Sequence, residues 1–265
     1  MNSNPDPDFR ADFLKAADQF FHAETQAQAF HKLDRLCEMI ISDPGAAIGL
    51  KPELNVPALQ ARTSEIDAIE EKQAAQRLLT TLSASSDPVS EYDWSLEDYY
   101  DREWQFIKNN LKGPVDRIQI VGQGAVPSLA LAIRRADPDI KFDFYDIDPE
   151  ALALASKILG ADITAPDRAR SDTGKDTFAL SDIATERFEN KPSDLLVLTN
   201  APVQALRKRQ MDLTHNQIFI RSATAAGEIL YPGLQTQETC LSDYQSVREE
   251  DDPLYGIHKL HMLER

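Results

Sequence analysis

A short glycine turn followed by an acidic residue is the segment whose residue types and spacing most clearly indicate a binding site. Val121–Pro127 reads Val-Gly-Gln-Gly-Ala-Val-Pro, and Asp146 follows Gly122 by 24 residues. Glycine permits positive φ and close backbone approach, and proline suits the first turn of a following helix. The free N–H groups of that helix attract anionic or polar atoms, and an acid at this spacing typically binds ribose hydroxyls. The pattern predicts a nucleoside site shaped by Gly122, Gln123, Gly124 and Asp146, and a purely structural turn is the alternative.

The spacing of the glycines also bears on which nucleoside fits. The motif is Gly-Gln-Gly-Ala-Val-Pro and not Gly-x-Gly-x-x-Gly. The third glycine of the longer motif permits the close helix packing found around the pyrophosphate of a dinucleotide. NAD is therefore less favoured than a nucleoside without pyrophosphate, such as S-adenosylmethionine.

Further candidates follow the apolar runs that should form neighbouring strands, because ligands of open α/β sheets bind beyond the carboxyl ends of strands. Asp182 can accept a hydrogen bond from an adenine amino group, or it can cap a helix that begins near Ile183. Both roles can hold at once. The candidate cofactor-binding residues are Gly122, Gln123, Gly124, Asp146, Ile147, Asp182, Ile183, Thr199, Asn200 and Ala201.

An aromatic helical stretch, residues 92–106, precedes the glycine turn. Most of its rings should pack in a core. Tyr92 or Tyr100 can also line a sulfonium, because an aromatic ring attracts a cation by roughly 0.5–2 kcal/mol. By contrast, His258 and His261 lie in a predicted strand, where positions three apart point to opposite faces, so we expect no metal site.

The elements that must position these residues change in type along the chain. Helices are predicted at 8–41, 63–82 and 96–111, with a loop at 46–58. Strands are predicted at 117–121, 141–145, 194–199 and 217–221, with another ending within residues 179–183 and weaker ones at 243–248 and 255–263. Alternating strands and helices predict a parallel sheet with helices on both faces. The predicted fold is α/β, with an all-helical domain at 1–112 and a Rossmann-like domain at 113–265.

The composition narrows the class of partner. The chain has 265 residues, a net charge of −16 and a pI near 4.7. An acidic surface repels phosphate backbones and anionic lipid, so we expect neither nucleic acid nor membrane as a partner. The two cysteines, Cys37 and Cys240, are far apart and the first residues are polar and acidic, which predicts reduced thiols in a cytoplasmic protein.

Several motifs together resemble the nicotianamine synthase-like enzymes, above all the bacterial branch that makes opine-type metallophores. The segments that carry the resemblance are Val121–Pro127 with Tyr145–Pro149, Tyr92–Tyr100, Ile220–Ala223 with Ile229–Pro232, and Ile69–Ala74. The glycine turn alone is weakly specific. Its combination with the Arg-Ser-Ala and Leu-Tyr-Pro segments is more specific for this family.

The resemblance implies a fold like that of class I methyltransferases, with residues 1–112 as a helical lid. It implies that S-adenosylmethionine is a substrate, whose 3-amino-3-carboxypropyl group passes to an amine acceptor with release of methylthioadenosine. Under this interpretation Glu71 poises the amine, Tyr92 or Tyr100 lines the sulfonium, and Arg221 or Tyr231 holds a carboxylate. It leaves open whether the chain forms a homodimer.

The chain departs from the family pattern at one position. The family's lid-helix glutamate aligns without gaps near Ala75 or Gln76, and Glu71 lies one helical turn earlier. Either Glu71 takes its place, or the acceptor site is lost. Loss would favour an intramolecular reaction in which the amine of S-adenosylmethionine closes a ring to azetidine-2-carboxylate. Methyl transfer and a non-catalytic binding module are further alternatives.

Overall fold

The computed structural model describes residues 6–82, 97–160, 176–180, 195–199, 216–234, 241, 243–251 and 256–265. Among these residues the N-terminal region is helical. Its helices are α1 (Pro7–Phe21), α2 (Gln26–Ser42), α3 (Pro44–Leu50) and α4 (Val56–Leu82), with a 3-10 turn at Lys51–Glu53.

Two predictions for this region were wrong in detail. The single helix predicted at 8–41 is two helices, because Thr25 starts α2 by accepting the Gln28 N–H at 3.3 Å. The loop predicted at 46–58 contains α3, because Asp43 accepts the Ala46 N–H at 2.9 Å and so caps a new helix. Pro44 does more than follow the end of α2, since it occupies the first turn of α3, where proline needs no N–H partner.

The C-terminal part contains a seven-stranded sheet with the order β3-β2-β1-β4-β5-β7-β6. The strands are β1 (Arg117–Val121), β2 (Lys141–Asp146), β3 (Thr177–Leu180), β4 (Leu195–Leu198), β5 (Gln217–Ala223), β6 (Gln245–Asp251) and β7 (His258–Glu264). The pairs β3–β2, β2–β1, β1–β4 and β4–β5 are parallel. The helices described between strands or before the sheet are α5 (Glu97–Asn110), α6 (Ser128–Ala136) and α7 (Pro149–Ile158).

The apolar runs of the sequence explain why these strands are central. All four residues of β4 are buried, and so are the last four of β1. A strand covered on both faces needs such a continuous run, unlike the alternating pattern of a half-exposed strand. The predicted α/β class, with a Rossmann-like methyltransferase-type sheet and a helical N-terminal region, is therefore confirmed.

The chain divides into two compact units. The first unit comprises Met1–Ile69, Ser222–Leu234 and Glu250–Lys259, and the second comprises Glu70–Arg221, Gln235–Glu249 and Leu260–Arg265. The predicted boundary at residue 112 stays a prediction, and the compact units do not follow it. No helix among the described residues combines the length and the apolar character needed to cross a bilayer.

Candidate active site

The turn that joins β1 to α6, residues 122–127, is the centre of the candidate site and is here called the glycine turn. Gly122 and Gly124 both have a φ of 73°, which glycine adopts without the steric cost of a Cβ. The Gly122 N–H donates to the Tyr145 carbonyl oxygen at 2.9 Å, and the Thr199 hydroxyl donates to the Gly122 carbonyl oxygen at 2.8 Å. These bonds tie the turn to the ends of β2 and β4, where the strand order reverses and ligands of α/β sheets bind.

Asp146 at the end of β2 is bound directly to this turn. Its Oδ2 accepts the Gly124 N–H at 2.8 Å, and its Oδ1 accepts the Asp148 N–H at 2.9 Å. Asp148 then caps α7 by accepting the N–H groups of Glu150 at 2.9 Å and Ala151 at 3.2 Å. The structure thus brings together the two parts of the sequence motif that lie 24 residues apart.

The side chain of Glu71 reaches the same turn from α4. Its Oε1 accepts the Val126 N–H at 3.3 Å. A Cβ added to Gly124 would lie 2.3 Å from both carboxylate oxygens of Glu71. Real Cβ atoms do not approach oxygen so closely, so the absence of a side chain at residue 124 is what leaves space for the carboxylate.

The surroundings of Glu71 make it a basic carboxylate. Burial raises its pKa to about 7, because leaving water disfavours the charged form. Hydrogen bonds from the backbone of Val126 and Ala125 lower the pKa, the negative charge of Asp146 raises it, and the positive charge of Arg221 lowers it. A carboxylate with this pKa exchanges a proton near neutral pH, as a general base must.

The two α4 positions at which the resemblance would place a glutamate, Ala75 and Gln76, differ in burial. Ala75 has no exposed surface and packs in the core of the second unit, whereas Gln76 is exposed. Neither side chain supplies an acid, and Glu71 is the α4 acid that meets the glycine turn. The site therefore has a carboxylate even though the ungapped alignment places none.

Arg221 and the aromatic residues of α5 lie together in the second unit. The Arg221 Nε donates to Glu103 Oε1 at 2.9 Å, and its guanidinium carbon lies 5.7 Å from the ring centre of Tyr99 and 5.8 Å from that of Tyr100. The Tyr100 hydroxyl is hydrogen-bonded to Ser128, the first residue of α6. Burial raises the pKa of Tyr100, so its hydroxyl keeps its proton.

Comparison with known proteins gives one sequence relative and one well-matched fold. No protein-family model matches the chain. Nicotianamine synthase 9 of Hordeum vulgare is 29% identical over 147 residues, which are 51% of this chain and 41% of that protein. The crystal structure of MtNAS in complex with MTA and tNA has a TM-score of 0.62 at 13% identity, covering 97% of this chain and 98% of MtNAS.

The chain is therefore similar to nicotianamine synthases, in sequence over about half of its length and in fold over nearly all of it. A second MtNAS structure, a glutamate-to-glutamine variant in complex with S-adenosylmethionine, has a TM-score of 0.64 over the same shares of both chains. At 13% identity these structures establish the likeness of the fold. The match to the sequence relative extends over less than half of that protein's length.

Helix α4 also contacts a second turn, the one that joins β2 to α7. The Nζ of Lys72, the neighbour of Glu71, lies 2.6 Å from Asp148 Oδ2 and 3.0 Å from Glu150 Oε2. One helix therefore contacts both the glycine turn and the start of α7. Sequence reasoning missed Lys72, and its only signal was its position beside the candidate Glu71.

Two exposed apolar side chains lie at the ends of neighbouring strands. Ile147 is 66% exposed and follows β2, and Leu180 is 59% exposed at the end of the paired strand β3. Such side chains suit a flat ring system. Gln123 instead turns inward, with its Nε2 donating to the Val126 carbonyl oxygen at 3.3 Å.

Tyr231 lies in the first compact unit. Its hydroxyl is hydrogen-bonded to Asp67, and its ring centre lies 4.9 Å from that of His258. Burial raises the pKa of Asp67 to about 6, the bond to Tyr231 lowers it, and the charge of Asp34 raises it. Tyr231 thus has a carboxylate partner within the chain. The candidates that lie outside the described residues are Tyr92, Asp182, Ile183, Asn200 and Ala201.

Proposed function

We propose that this protein is an S-adenosylmethionine-dependent enzyme that transfers the 3-amino-3-carboxypropyl group to an amine and releases methylthioadenosine. Its similarity to Nicotianamine synthase 9 supports the reaction class. The fold it shares with MtNAS, whose structures contain MTA and S-adenosylmethionine, supports the substrate.

The observation that carries the proposal is the Glu71 carboxylate at the glycine turn. Only an unprotonated amine can attack the carbon bonded to the sulfonium. As the C–N bond forms, the C–S bond breaks and its electron pair stays on sulfur, giving a neutral thioether that requires no acid. The proton lost from the attacking nitrogen passes to Glu71, whose pKa of about 7 suits this exchange.

The other residues are assigned to substrate binding. The glycine turn, with Gly122, Gln123 and Gly124, shapes the nucleoside site, and Asp146 accepts hydrogen bonds from the ribose. Ile147 packs against the adenine, and Tyr100 attracts the sulfonium. Thr199, Asp182, Ile183, Asn200 and Ala201 complete the nucleoside site in this proposal. Arg221 or Tyr231 holds a substrate carboxylate.

Cyclisation to azetidine-2-carboxylate is the second candidate. It breaks the same C–S bond, but the attacking amine belongs to S-adenosylmethionine itself. The absence of an acid from the family's position on α4 favours it. Glu71 at the glycine turn offsets that absence and supports transfer as the first candidate. Methyl transfer, the third, differs in the carbon that is attacked.

Product analysis separates these reactions. Purified protein is incubated with S-adenosylmethionine, either alone or with a panel of amino acids that includes histidine, and the products are identified by mass spectrometry. Methylthioadenosine that forms only with an acceptor supports the proposal. Methylthioadenosine with a cyclic C4 amino acid in the absence of acceptor overturns transfer in favour of cyclisation. S-adenosylhomocysteine would indicate methyl transfer, and binding without turnover would contradict any enzymatic function.

A further inference from the structure

A buried ion pair, Glu103–Arg221, stands beside the candidate site. Glu103 on α5 has a side chain that is 1% exposed, and that of Arg221 on β5 is 14% exposed. Two contacts join them, from Nε to Oε1 at 2.9 Å and from Nη2 to Oε2 at 3.4 Å. Such two-point contact fixes the plane of the guanidinium, and removing one partner leaves the other charge uncompensated.

The pair is connected to the glycine turn through Tyr100. The ring of Tyr100 lies 5.8 Å from the Arg221 guanidinium carbon, and its hydroxyl is hydrogen-bonded to Ser128. Ser128 is two residues from Val126, whose N–H donates to Glu71. The ring of Tyr100 therefore lies beside the Arg221 guanidinium, and its hydroxyl contacts the residue that directly follows the glycine turn.

Among the described residues, three charged or titratable groups interact electrostatically with Glu71: Asp146 from β2, Arg221 from β5 and Tyr100 from α5. Of these, Arg221 supplies the positive charge, which favours the ionised form of Glu71 and makes it a weaker base. Glu103 carries the opposite charge in direct contact with Arg221. The net field of the pair at Glu71 is therefore smaller than the field of Arg221 alone.

We propose that Glu103 is a positioning residue, which fixes the Arg221 guanidinium and offsets its charge so that Glu71 remains a base for the reaction. The inference builds on the proposed function for its kinetic consequence. The electrostatic part concerns Glu71 alone and needs no substrate.

Titration of Glu71 tests the proposal directly. The side-chain carboxyl ¹³C resonance of Glu71 is assigned by its loss in Glu71→Gln and followed against pH. Glu103→Gln leaves Arg221 uncompensated, so the pKa of Glu71 should fall by about 0.5–1 unit. Arg221→Gln should raise it, and the double variant should lie between the two. Shifts in the same direction, or no shift, would overturn the proposal.

Kinetics and a conservative variant distinguish this role from simple structural support. The acid limb of the pH–rate profile should move to lower pH in Glu103→Gln and to higher pH in Arg221→Gln. Glu103→Asp keeps the negative charge, so its acid limb and the pKa of its Glu71 should both match those of wild type. This variant keeps the proposal testable even if Glu103→Gln does not fold. If the pKa of Glu71 shifts in opposite directions in the two variants but no methylthioadenosine is released, the proposed function is refuted and the role of Glu103 is not. Release with an unmoved limb would refute the role of Glu103.

Discussion

At the scale of single residues, Gly124 and Glu71 depend on each other. The carboxylate occupies the space where any larger residue at 124 would place its Cβ. It also accepts a hydrogen bond from the same turn, at Val126. The turn thus needs glycine both for its positive φ and for the approach of α4.

Replacing Gly124 by alanine should therefore lower the free energy of unfolding by more than the backbone strain alone would. Gly160 has a similar φ of 68°, and a Cβ added there would meet nothing within 4 Å, so Gly160→Ala is the matched control. We expect about 1 kcal/mol of destabilisation from positive φ in both variants. Gly124→Ala should lose a further ~1–3 kcal/mol from the clash. Urea unfolding measures both, and Glu71→Ala should relieve part of the loss in Gly124→Ala but none in Gly160→Ala.

The raised pKa of Glu71 also predicts how stability depends on pH. Its pKa rises from 4.5 to about 7 on folding, so the folded protein binds the extra proton between these values. Its contribution to stability is complete below pH 4.5 and is lost as the pH rises through about 7. Between pH 5 and 8, wild type should lose on the order of 2 kcal/mol more unfolding free energy than Glu71→Gln. Parallel curves for the two proteins would contradict the buried position of Glu71.

Residue roles can be predicted from sequence only where a local motif indicates them. The glycine turn and Asp146 follow from spacing within one strand–helix–strand unit. The partnership of Glu103 with Arg221 joins residues 118 positions apart, and no local pattern encodes it. Glu71 is a candidate by resemblance, but its contact with Gly124 depends on how α4 packs.

At the scale of elements, α4 contacts two turns of the sheet through adjacent side chains. Glu71 meets the glycine turn, and Lys72 meets Asp148 at the start of α7. Asp148 is both the cap of α7 and a donor, through its N–H, to Asp146. The Asp148 side chain, as the cap of α7, therefore fixes the backbone N–H that donates to Asp146, the acid proposed to bind ribose.

Removing this cap should weaken binding as well as stability. Asp148→Ala keeps the N–H that donates to Asp146 but loses the cap and the Lys72 contact that fix its position. The variant should lose about 1 kcal/mol of stability from the cap, and its KM for S-adenosylmethionine should rise about fivefold. Asp6 caps α1 through the Asp8 N–H at 3.0 Å, so Asp6→Ala is a control that also removes a cap. We expect a similar loss of stability in Asp6→Ala with unchanged KM. Equal KM values in the two variants would show that Asp148 does not support the site.

The helix boundaries in the N-terminal region could not be predicted from the sequence pattern alone. No proline or glycine interrupts residues 22–25, so the pattern predicts one helix where the Thr25 cap separates α1 from α2. Asp43-Pro44 is typical of a helix stop, but the same two residues also begin α3. A capping residue followed by proline is compatible with the end of one helix and with the start of the next, and only packing decides between these two outcomes.

At the scale of the whole molecule, the parallel pairing of the central strands follows from alternating strand and helix signals, whereas the strand order does not. Apolar runs located β1, β2, β4 and β5 almost residue by residue, because strands covered on both faces require such runs. The grouping of α5 with the sheet unit could not be predicted in this way. It arises from contacts such as that of Trp104 Nε1, which donates to Asp137 at 2.9 Å.

The net charge of −16 predicts how salt affects the first encounter with substrate. S-adenosylmethionine carries net positive charge, so an acidic protein attracts it, and salt screens that attraction. We expect kcat/KM for S-adenosylmethionine to fall about two- to fivefold between low and about 0.3 M ionic strength. Methylthioadenosine is neutral, and its inhibition constant should stay constant. If both quantities change in parallel, salt acts on the fold and not on attraction.

The central claim is that Glu71 accepts the proton of the attacking amine. The decisive measurement is the pH dependence of methylthioadenosine release by wild type, Glu71→Gln and the control Glu70→Gln. Glu70 lies on the same helix and pairs with the exposed Arg77 at 2.9 Å, so its variant should behave as wild type. Wild type should lose activity below about pH 7, and Glu71→Gln should be slower by about 100-fold or more without this acid limb. A Glu71→Gln enzyme with wild-type rate and the same acid limb would contradict the account.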